Sequence, residues 1–324
     1  MSRIIFHIDL DAFFCAVAEL QTPALKGKAF MVGGAAHERG VVASASYAAR
    51  KYGVRNAMPT SQALRLCPGL LVVSPNRAAY ADYSQRVMAL LHEYGDDFQP
   101  ISIDEAFMDV TALVQHSPPI DLAREIQTRI RDEIRLPASI GIASSKLVAK
   151  MASGFAKPNG IKQIALGGEA AFLAPLAANE LWGVGAATAA RLSAIGIQTI
   201  GQIASASPQK LRGVFGNQTE EMQARAQGID PSPVQPDRET KSVSEERTFT
   251  RDISERETLR KVLMLLCDAV AARLRAHLAA MDEALDQPEE FYRLNLAFHH
   301  ALLDAAGHAR TAAIYRGLEK ESHL

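Results

Sequence analysis

The chain has 324 residues, 48% hydrophobic and 22% charged, with a formal net charge of −1. This composition excludes disordered, collagenous and membrane-embedded classes, and the length accommodates two or more globular domains. Near-neutrality excludes bulk charge as a means of holding nucleic acid: residues 278–324 carry eight acids against four bases, the remainder 28 against 31, so any DNA contact rests on local patches.

Residues 3–10 read as a short buried strand, Ile4-Ile5-Phe6-His7-Ile8-Asp9, with a carboxylate at its end. Residues 11–21 switch to helical spacing. Residues 29–73 read as a small α/β unit whose hairpin strands are Phe30–Gly34 and Gly40–Ala45. Tyr47 and Arg50 follow, three apart on one helix face. Residues 76–95 read as an amphipathic helix with Tyr80, Tyr83, Val87, Leu90 and Leu91 on one side. Residues 99–111 read as a hairpin, Ile101-Ser102-Ile103-Asp104-Glu105-Ala106-Phe107-Met108 at its centre. Neighbouring side chains on a regular strand point to opposite faces, so Asp104 and Glu105 serve one site only if the chain bends there. Asp9, Asp104 and Glu105 at strand ends form an oxygen-donor set for two Mg²⁺ ions, the apparatus of two-metal phosphoryl transfer.

A helix over 120–135, with Leu122, Ile126 and Ile130 inward, and a strand over 138–143 complete a β-α-β-β-α-β order. That order implies a ferredoxin-like sheet with helices on one face. Residues 144–161 run Ser-Ser-Lys-Leu-Val-Ala-Lys-Met-Ala-Ser-Gly-Phe-Ala-Lys-Pro-Asn-Gly-Ile, with Lys146 and Lys150 on one helix face. Residues 168–229 are helical. Within them Leu181-Trp182-Gly183-Val184-Gly185 looks like a helix-hairpin-helix turn, whose backbone amides at a helix N-terminus can approach a DNA phosphate. Residues 229–238 hold three prolines and read as an extended linker. Lys241–Phe249 alternates like a strand, and a long helix spans about 254–280.

Two of these stretches, Ile8-Asp9-Leu10-Asp11-Ala12-Phe13-Phe14 and Ser102-Ile103-Asp104-Glu105-Ala106-Phe107, resemble the metal-binding motifs of the Y-family, or translesion, DNA polymerases, with the bacterial DNA polymerase IV (DinB) branch as the nearest pattern. The resemblance covers about residues 3–277. It implies an α+β right-hand polymerase: palm 1–10 and 75–166, small fingers 11–74, helical thumb with a helix-hairpin-helix 167–229, linker 230–240, and an incomplete little finger 241–280. By resemblance Asp9, Asp104, Glu105 and the Leu10 carbonyl hold Mg²⁺. Phe14 is the steric gate against a 2′-hydroxyl, with Phe13 packed under the sugar. Tyr47, Arg50 and Lys157 hold the triphosphate. Lys146, Lys150, Gly183, Val184 and Gly185 are the candidate DNA contacts, and the small fingers imply a loose grip on the nascent base pair.

The family's further little-finger strands are absent from the sequence. Residues 281–324 instead read as helical and resemble part of the FCD domain of GntR-type transcription regulators, over Phe291–Gly307. Asn295 and His299 stand at positions that contribute to a metal site there, but two ligands seldom suffice, so no transition-metal site is expected. No second acid cluster suggests a proofreading exonuclease.

The sequence therefore reads as a template-directed, low-fidelity DNA polymerase of weakened DNA grip. Primer-template DNA and deoxynucleoside triphosphates are its expected partners, with a sliding clamp as a further candidate, and a monomer is expected. A catalytically inactive DNA-binding or regulatory chimera is the alternative, and a nucleotide cyclase ranks far behind because it gives no reason for the helix-hairpin-helix turn. Cys15, Cys67 and Cys267 lack metal-ligand spacing and fit free thiols. No run reaches the roughly 20 apolar residues of a membrane span, and no basic-then-apolar leader is evident, so a cytoplasmic location is expected.

Overall fold

A computed structural model describes residues 3–236 and 242–283. The chain divides into two units, Met1–Ala35 with Gly40–Pro236, and Ala36–Arg39 with Asp237–Leu324.

The first unit opens with β1 (Ile5–Leu10), buried along its whole length, and α1 (Phe13–Gln21). A small sheet follows: β2 (Phe30–Gly33) and β3 (Val42–Ala45) form the expected hairpin. α2 (Tyr47–Arg50) and α3 (Thr60–Leu66) lead to β4 (Leu71–Val73), which adds to β2 in parallel. α4 (Arg77–His92) returns the chain to the main sheet, where β5 (Phe98–Pro100) and β6 (Glu105–Asp109) form the acid hairpin. α5 (Pro119–Arg129) continues as a wider turn over Ile130–Ile134, and then come β7 (Ala138–Ala143), α6 (Lys146–Ala156) and β8 (Ile161–Gln163).

The main sheet has the order β5-β6-β1-β7-β8. Its first four strands carry the expected β-α-β-β-α-β connectivity, with β1 antiparallel to both β6 and β7. The two helices of that β-α-β-β-α-β unit, α4 and α5, lie on one face as expected, and α6, which follows the unit, lies on the other. Phe6, Ile8 and Leu10 face a core shared with α4 and α5, which bury Val87, Leu91, Ile126 and Ile130. Ile5 and Phe107 face the opposite way, into a core with Leu147, Val148 and Met151 of α6. The sheet is thus covered on both faces. The physical reason lies in α6: its Ser145 N-cap is worth about 1 kcal/mol, whereas each fully buried Leu, Val or Met contributes ~1.5–3 kcal/mol. Its strongly apolar side therefore seeks the sheet and not solvent.

α6 can lie that close because Gly141 on β7 has no side chain; a Cβ there would stand 1.9 Å from the Ala149 carbonyl oxygen. Beyond β8 come five short helices, α7 (Glu169–Leu173), α8 (Ala186–Ala194), α9 (Ile200–Ser205), α10 (Pro208–Phe215) and α11 (Thr219–Ala226). Their buried residues, Leu173, Leu192, Ile203 and Leu211 among them, join the core of α6. The stretch expected as a linker has no regular structure through Pro236, but it is pinned. Asp230 accepts the Leu147 N–H at 3.1 Å, and Arg3 donates to the Ser232 carbonyl at 2.8 Å.

In the second unit the strand expected over 241–249 is not formed: residues 242–249 have no regular structure. A single strand has no ladder to join, and among the described residues of this unit there is no other strand. α12 (Arg256–Glu283) is the long helix expected over about 254–280. Its Arg273 pairs with Glu245 at 2.6 Å and donates to the Ser244 carbonyl. The FCD-like positions Asn295 and His299 lie outside the described residues. Among the described residues no helix is long and apolar enough to cross a membrane.

Substituting Gly141→Ala is expected to destabilise the first unit by about 3 kcal/mol, since the new methyl must displace the α6 backbone. A urea unfolding midpoint equal to the parent's would refute the close approach as a constraint.

Candidate active site

Strand register brings the acids together. Asp9 of β1 stands directly opposite Glu105 of β6 and opposite Ser139 of β7. The chain bends at Ser102–Asp104, as the paired acids require, and the Leu10 N–H donates to the Asp104 carbonyl at 2.9 Å. That bond ties the bend to the end of β1. Asp104 accepts from the Ser102 hydroxyl and is partly exposed.

Because β1 side chains alternate, Ile5, His7 and Asp9 share the face covered by α6. His7 is fully buried, its Nδ1 2.6 Å from Ser153 Oγ and its Nε2 3.2 Å from Glu105 Oε2. Burial lowers its pKa to about 4, so the ring is neutral at pH 7. Nε2–H then donates to the Glu105 carboxylate, while the Ser153 hydroxyl at Nδ1 also reaches the Lys150 carbonyl at 2.8 Å. Burial acts to raise Glu105, but the hydrogen bonds from His7 and Lys150 outweigh it and hold the carboxyl down at about 2. Asp9 has the opposite outcome. Burial pushes it up to about 6, against the pull of Lys157, whose Nζ is 2.6 Å from Oδ1. Each of the two opposed acids thus has its own lysine: Lys157 on Asp9 and Lys150 on Glu105.

The chain leaves β1 through Ala12, in a left-handed conformation with φ 45°, and this turn delivers the aromatic pair. Phe13 is 2% exposed and belongs to the core, whereas Phe14 is half-buried and stacks on Tyr80 with ring centroids 4.3 Å apart. In α2 the Tyr47 hydroxyl donates to Asp11 Oδ1 at 3.2 Å. Burial and the facing carboxylate push that phenol well above its ordinary range, so it keeps its proton. Arg50 lies over the Tyr47 ring at 5.1 Å and donates through Nε to the Ala45 carbonyl.

A cavity of about 150 Å³ is lined by Asp9, Leu10, Phe13, Phe14, Arg50, Asp104, Glu105 and Lys157, together with Ala12, Ala43, Ser44 and Asn56. Tyr47 stands behind it, through Asp11. The donor set is all oxygen, three carboxylates beside the Leu10 backbone, which suits a hard divalent cation and not a soft one. In the present side-chain positions, among the described residues, no three acidic, His or Cys groups converge tightly enough to grip an ion. The lysines meet the two opposed carboxylates instead.

Three of the residues expected as DNA contacts are engaged within the chain. Lys146 is only 8% exposed; its Nζ donates to Gln99 at 3.1 Å and lies 5.6 Å from the Phe107 ring centre, because its face of α6 turns toward the acid hairpin. Lys150, on the same face, is engaged by Glu105 and the Trp182 ring. Val184 is 5% exposed, and its N–H is committed to the Leu181 carbonyl at 2.8 Å, so it offers a phosphate neither side chain nor amide. Gly183 takes φ 101° to make that turn, and Gly185 precedes the first residue of α8.

Three residues at the site were not singled out from sequence: His7, Asp11 and Ser139. His7 had a legible signal, since period-2 alternation sets it on the face of Asp9. Asp11 and Ser139 are brought together only by the pairing of β1 with β7.

The sequence pattern described as the impB/mucB/samB family matches residues 8–154, and that of the FCD domain matches residues 249–324. The FCD match begins well before residue 281 and takes in α12. DNA polymerase IV 1 of Bacillus subtilis is 42% identical over 277 residues, 85% of this chain and 67% of that protein. DNA polymerase IV of Desulfatibacillum aliphaticivorans is 40% identical over 274 residues, 84% of this chain and 69% of the other. Among solved structures, DinB from Sulfolobus solfataricus superposes with a TM-score of 0.67 at 33% identity, over 72% of this chain and 69% of that one. An insertion ternary complex of Dbh DNA polymerase gives 0.66 at 33% identity, over 71% and 69%. Identity of this extent over most of both partners leaves one reading: the chain belongs to the impB/mucB/samB family of Y-family DNA polymerases, in its DNA polymerase IV branch.

Proposed function

We propose that this chain carries out template-directed DNA synthesis of the low-fidelity, translesion type, without proofreading, by two-metal nucleotidyl transfer. The observation that carries the proposal is the single cavity that Asp9, Asp104, Glu105, Phe14, Arg50 and Lys157 line together. Asp9, Asp104, Glu105 and the Leu10 carbonyl would hold two Mg²⁺ ions, which would supply Lewis-acid activation of the primer hydroxyl and charge stabilisation on the leaving pyrophosphate.

The remaining chemistry falls to the chain itself. In the reaction the primer 3′-oxygen forms a bond to the α-phosphorus, the bond to the β-phosphate bridging oxygen breaks, and pyrophosphate leaves. Arg50 presents a planar fork to phosphate oxygens, and Lys157 a mobile ammonium. Tyr47 keeps its phenolic proton, which Asp11 accepts in the free chain and which would turn to a phosphate oxygen when the nucleotide enters. Phe14, braced by Tyr80, sets a flat wall where a 2′-hydroxyl would project. His7 fixes the direction of Glu105 from behind. The small fingers sheet of three strands and two short helices supports a loose grip on the nascent pair.

In domain terms, the five-stranded sheet with α4–α6 is read as palm, the three-stranded sheet as fingers, and α7–α11 as thumb. The Gly183–Gly185 turn before α8 is read as the DNA-backbone contact, through Gly183, Gly185 and the first free amides of the helix. The second unit supports a weakened hold on DNA, since its described residues form no sheet. A second reading, a catalytically inactive DNA-binding or regulatory chimera, is favoured by one observation, the FCD match over 249–324.

Single-nucleotide primer extension separates the two. The parent is expected to extend a primer, and Asp104→Ala to lose extension while keeping its affinity for primer-template. Turnover retained in that variant would remove the acids from the mechanism, and a parent that binds DNA without extending it would favour the chimera. Phe14→Ala is expected to admit ribonucleotides; an unchanged deoxy-to-ribo preference would remove it as the gate. His7→Phe keeps the packing against Phe107 but loses the donor to Glu105. It should weaken Mn²⁺ binding roughly tenfold or more, as seen when partners behind metal ligands are lost, measured by electron paramagnetic resonance without turnover. Parent-like Mn²⁺ affinity would refute its role.

A further inference from the structure

The least expected group near the site is Asp11. It is 1% exposed and does not line the cavity. Its carboxylate accepts from three donors in three separate parts of the chain. The Tyr47 hydroxyl donates to Oδ1 at 3.2 Å. The Ser139 hydroxyl reaches Oδ1 at 3.0 Å and Oδ2 at 2.9 Å. The Asn159 backbone N–H donates to Oδ2 at 2.6 Å. Asn159 lies two residues after Lys157 and itself holds φ 53°, so this bond fixes the backbone of the turn that carries the lysine.

We propose that Asp11 is a positioning residue for the incoming nucleotide: it sets the two phosphate-binding elements, the Tyr47 helix and the Lys157 turn, at a fixed offset from the metal-binding end of β1. The inference rests on the polymerase reading and deepens it. Its physical basis is that each element is otherwise anchored on its own side: Tyr47 sits on a helix of four residues tied to β2 through Ser46, and Lys157 follows the last turn of α6 against Asp9. A buried carboxylate that accepts from both elements joins the two sides before the nucleotide enters, two residues from Asp9. The third donor, Ser139, contacts neither Tyr47 nor Lys157; its one link to the lysine turn is a long hydrogen bond from the Gly160 N–H at 3.4 Å. It orients the carboxylate from β7, in register with Asp9.

This arrangement separates a positioning role from a merely structural one. Removing Asp11 should release both phosphate ligands, while removing Ser139 should cost hydrogen bonds of similar burial without releasing either. An amide at position 11 can accept from the Asn159 N–H and offer its own N–H to the Tyr47 oxygen, so it preserves both links.

The test is steady-state single-nucleotide incorporation by the full chain with thermal melting recorded alongside. Asp11→Ala is expected to raise KM for the complementary deoxynucleotide about tenfold, with kcat within about threefold and primer-template affinity unchanged. Asp11→Asn should restore KM to within about twofold of the parent. Ser139→Ala should lower the melting temperature and leave KM within about twofold. Should the alanine variant not fold, Asp11→Ser, whose hydroxyl is too short to reach Tyr47 and Asn159 together, stands in for it. KM unchanged in both Asp11→Ala and Asp11→Ser, or a KM rise of equal size in Ser139→Ala, would overturn the assignment while leaving the polymerase reading intact. A parent that incorporates nothing would overturn the polymerase reading, and this inference with it.

Discussion

Asp9 and Glu105 face each other across neighbouring antiparallel strands, and much of the surrounding structure is a response to that fact. Like charges directly opposite on a sheet repel, and burial strengthens the repulsion by removing water. The two acids meet it differently. Glu105 is surrounded by donors, His7 from beneath and Lys150 from the side, and stays ionised far below neutrality. Asp9 has one lysine and a drier setting, and burial leaves its pKa near 6. In the described structure each of these carboxylates is met by an ammonium group, Lys157 on Asp9 and Lys150 on Glu105.

α6 is the element through which this electrostatic arrangement reaches the rest of the fold. One of its faces supplies apolar side chains to the rear of the sheet, and its middle and C-terminal end supply the charges. Lys150 sits mid-helix against Glu105, Ser153 supports His7, and Lys157 emerges at the C-terminus against Asp9. Gly141 admits the helix to within backbone contact of β7, so the register of α6 on the sheet is fixed sterically. The same helix shares its core with α7–α11. Packing of the helical region and geometry of the acids are therefore linked through one element, not through separate supports.

The second unit is a different kind of structure. Its described residues make an irregular segment and one long helix, and the FCD pattern spans that helix. The acids, the aromatic pair and the side chains proposed to bind phosphate all belong to the first unit.

The local signals in the sequence were sufficient for β1, the fingers hairpin, α4, β7 and the bend at Asp104–Glu105. Each of these is written in alternation, helical spacing or turn chemistry within about ten residues, and each appears in the fold. The candidate acids were legible for the same reason: they end apolar strands. What sequence could not reach was whatever depends on partners distant along the chain. Alternation along β1 assigns His7 and Asp9 to one face but does not say that α6 covers it. Lysines four apart on a helix look alike in solvent or in a core. Lys146 is buried and Lys150 is paired because the acid hairpin folds against that side. The strand expected at 241–249 failed for want of neighbours, since a strand is stable only through its ladder. Asp11 carries no signal in its own segment; its role exists only once Tyr47, Ser139 and Asn159, up to 148 residues away, have been brought around it. The sequence by itself determined the elements and the chemical types present. The tertiary structure alone decided which charge meets which, because cross-strand register and helix docking are long-range choices that no local pattern contains.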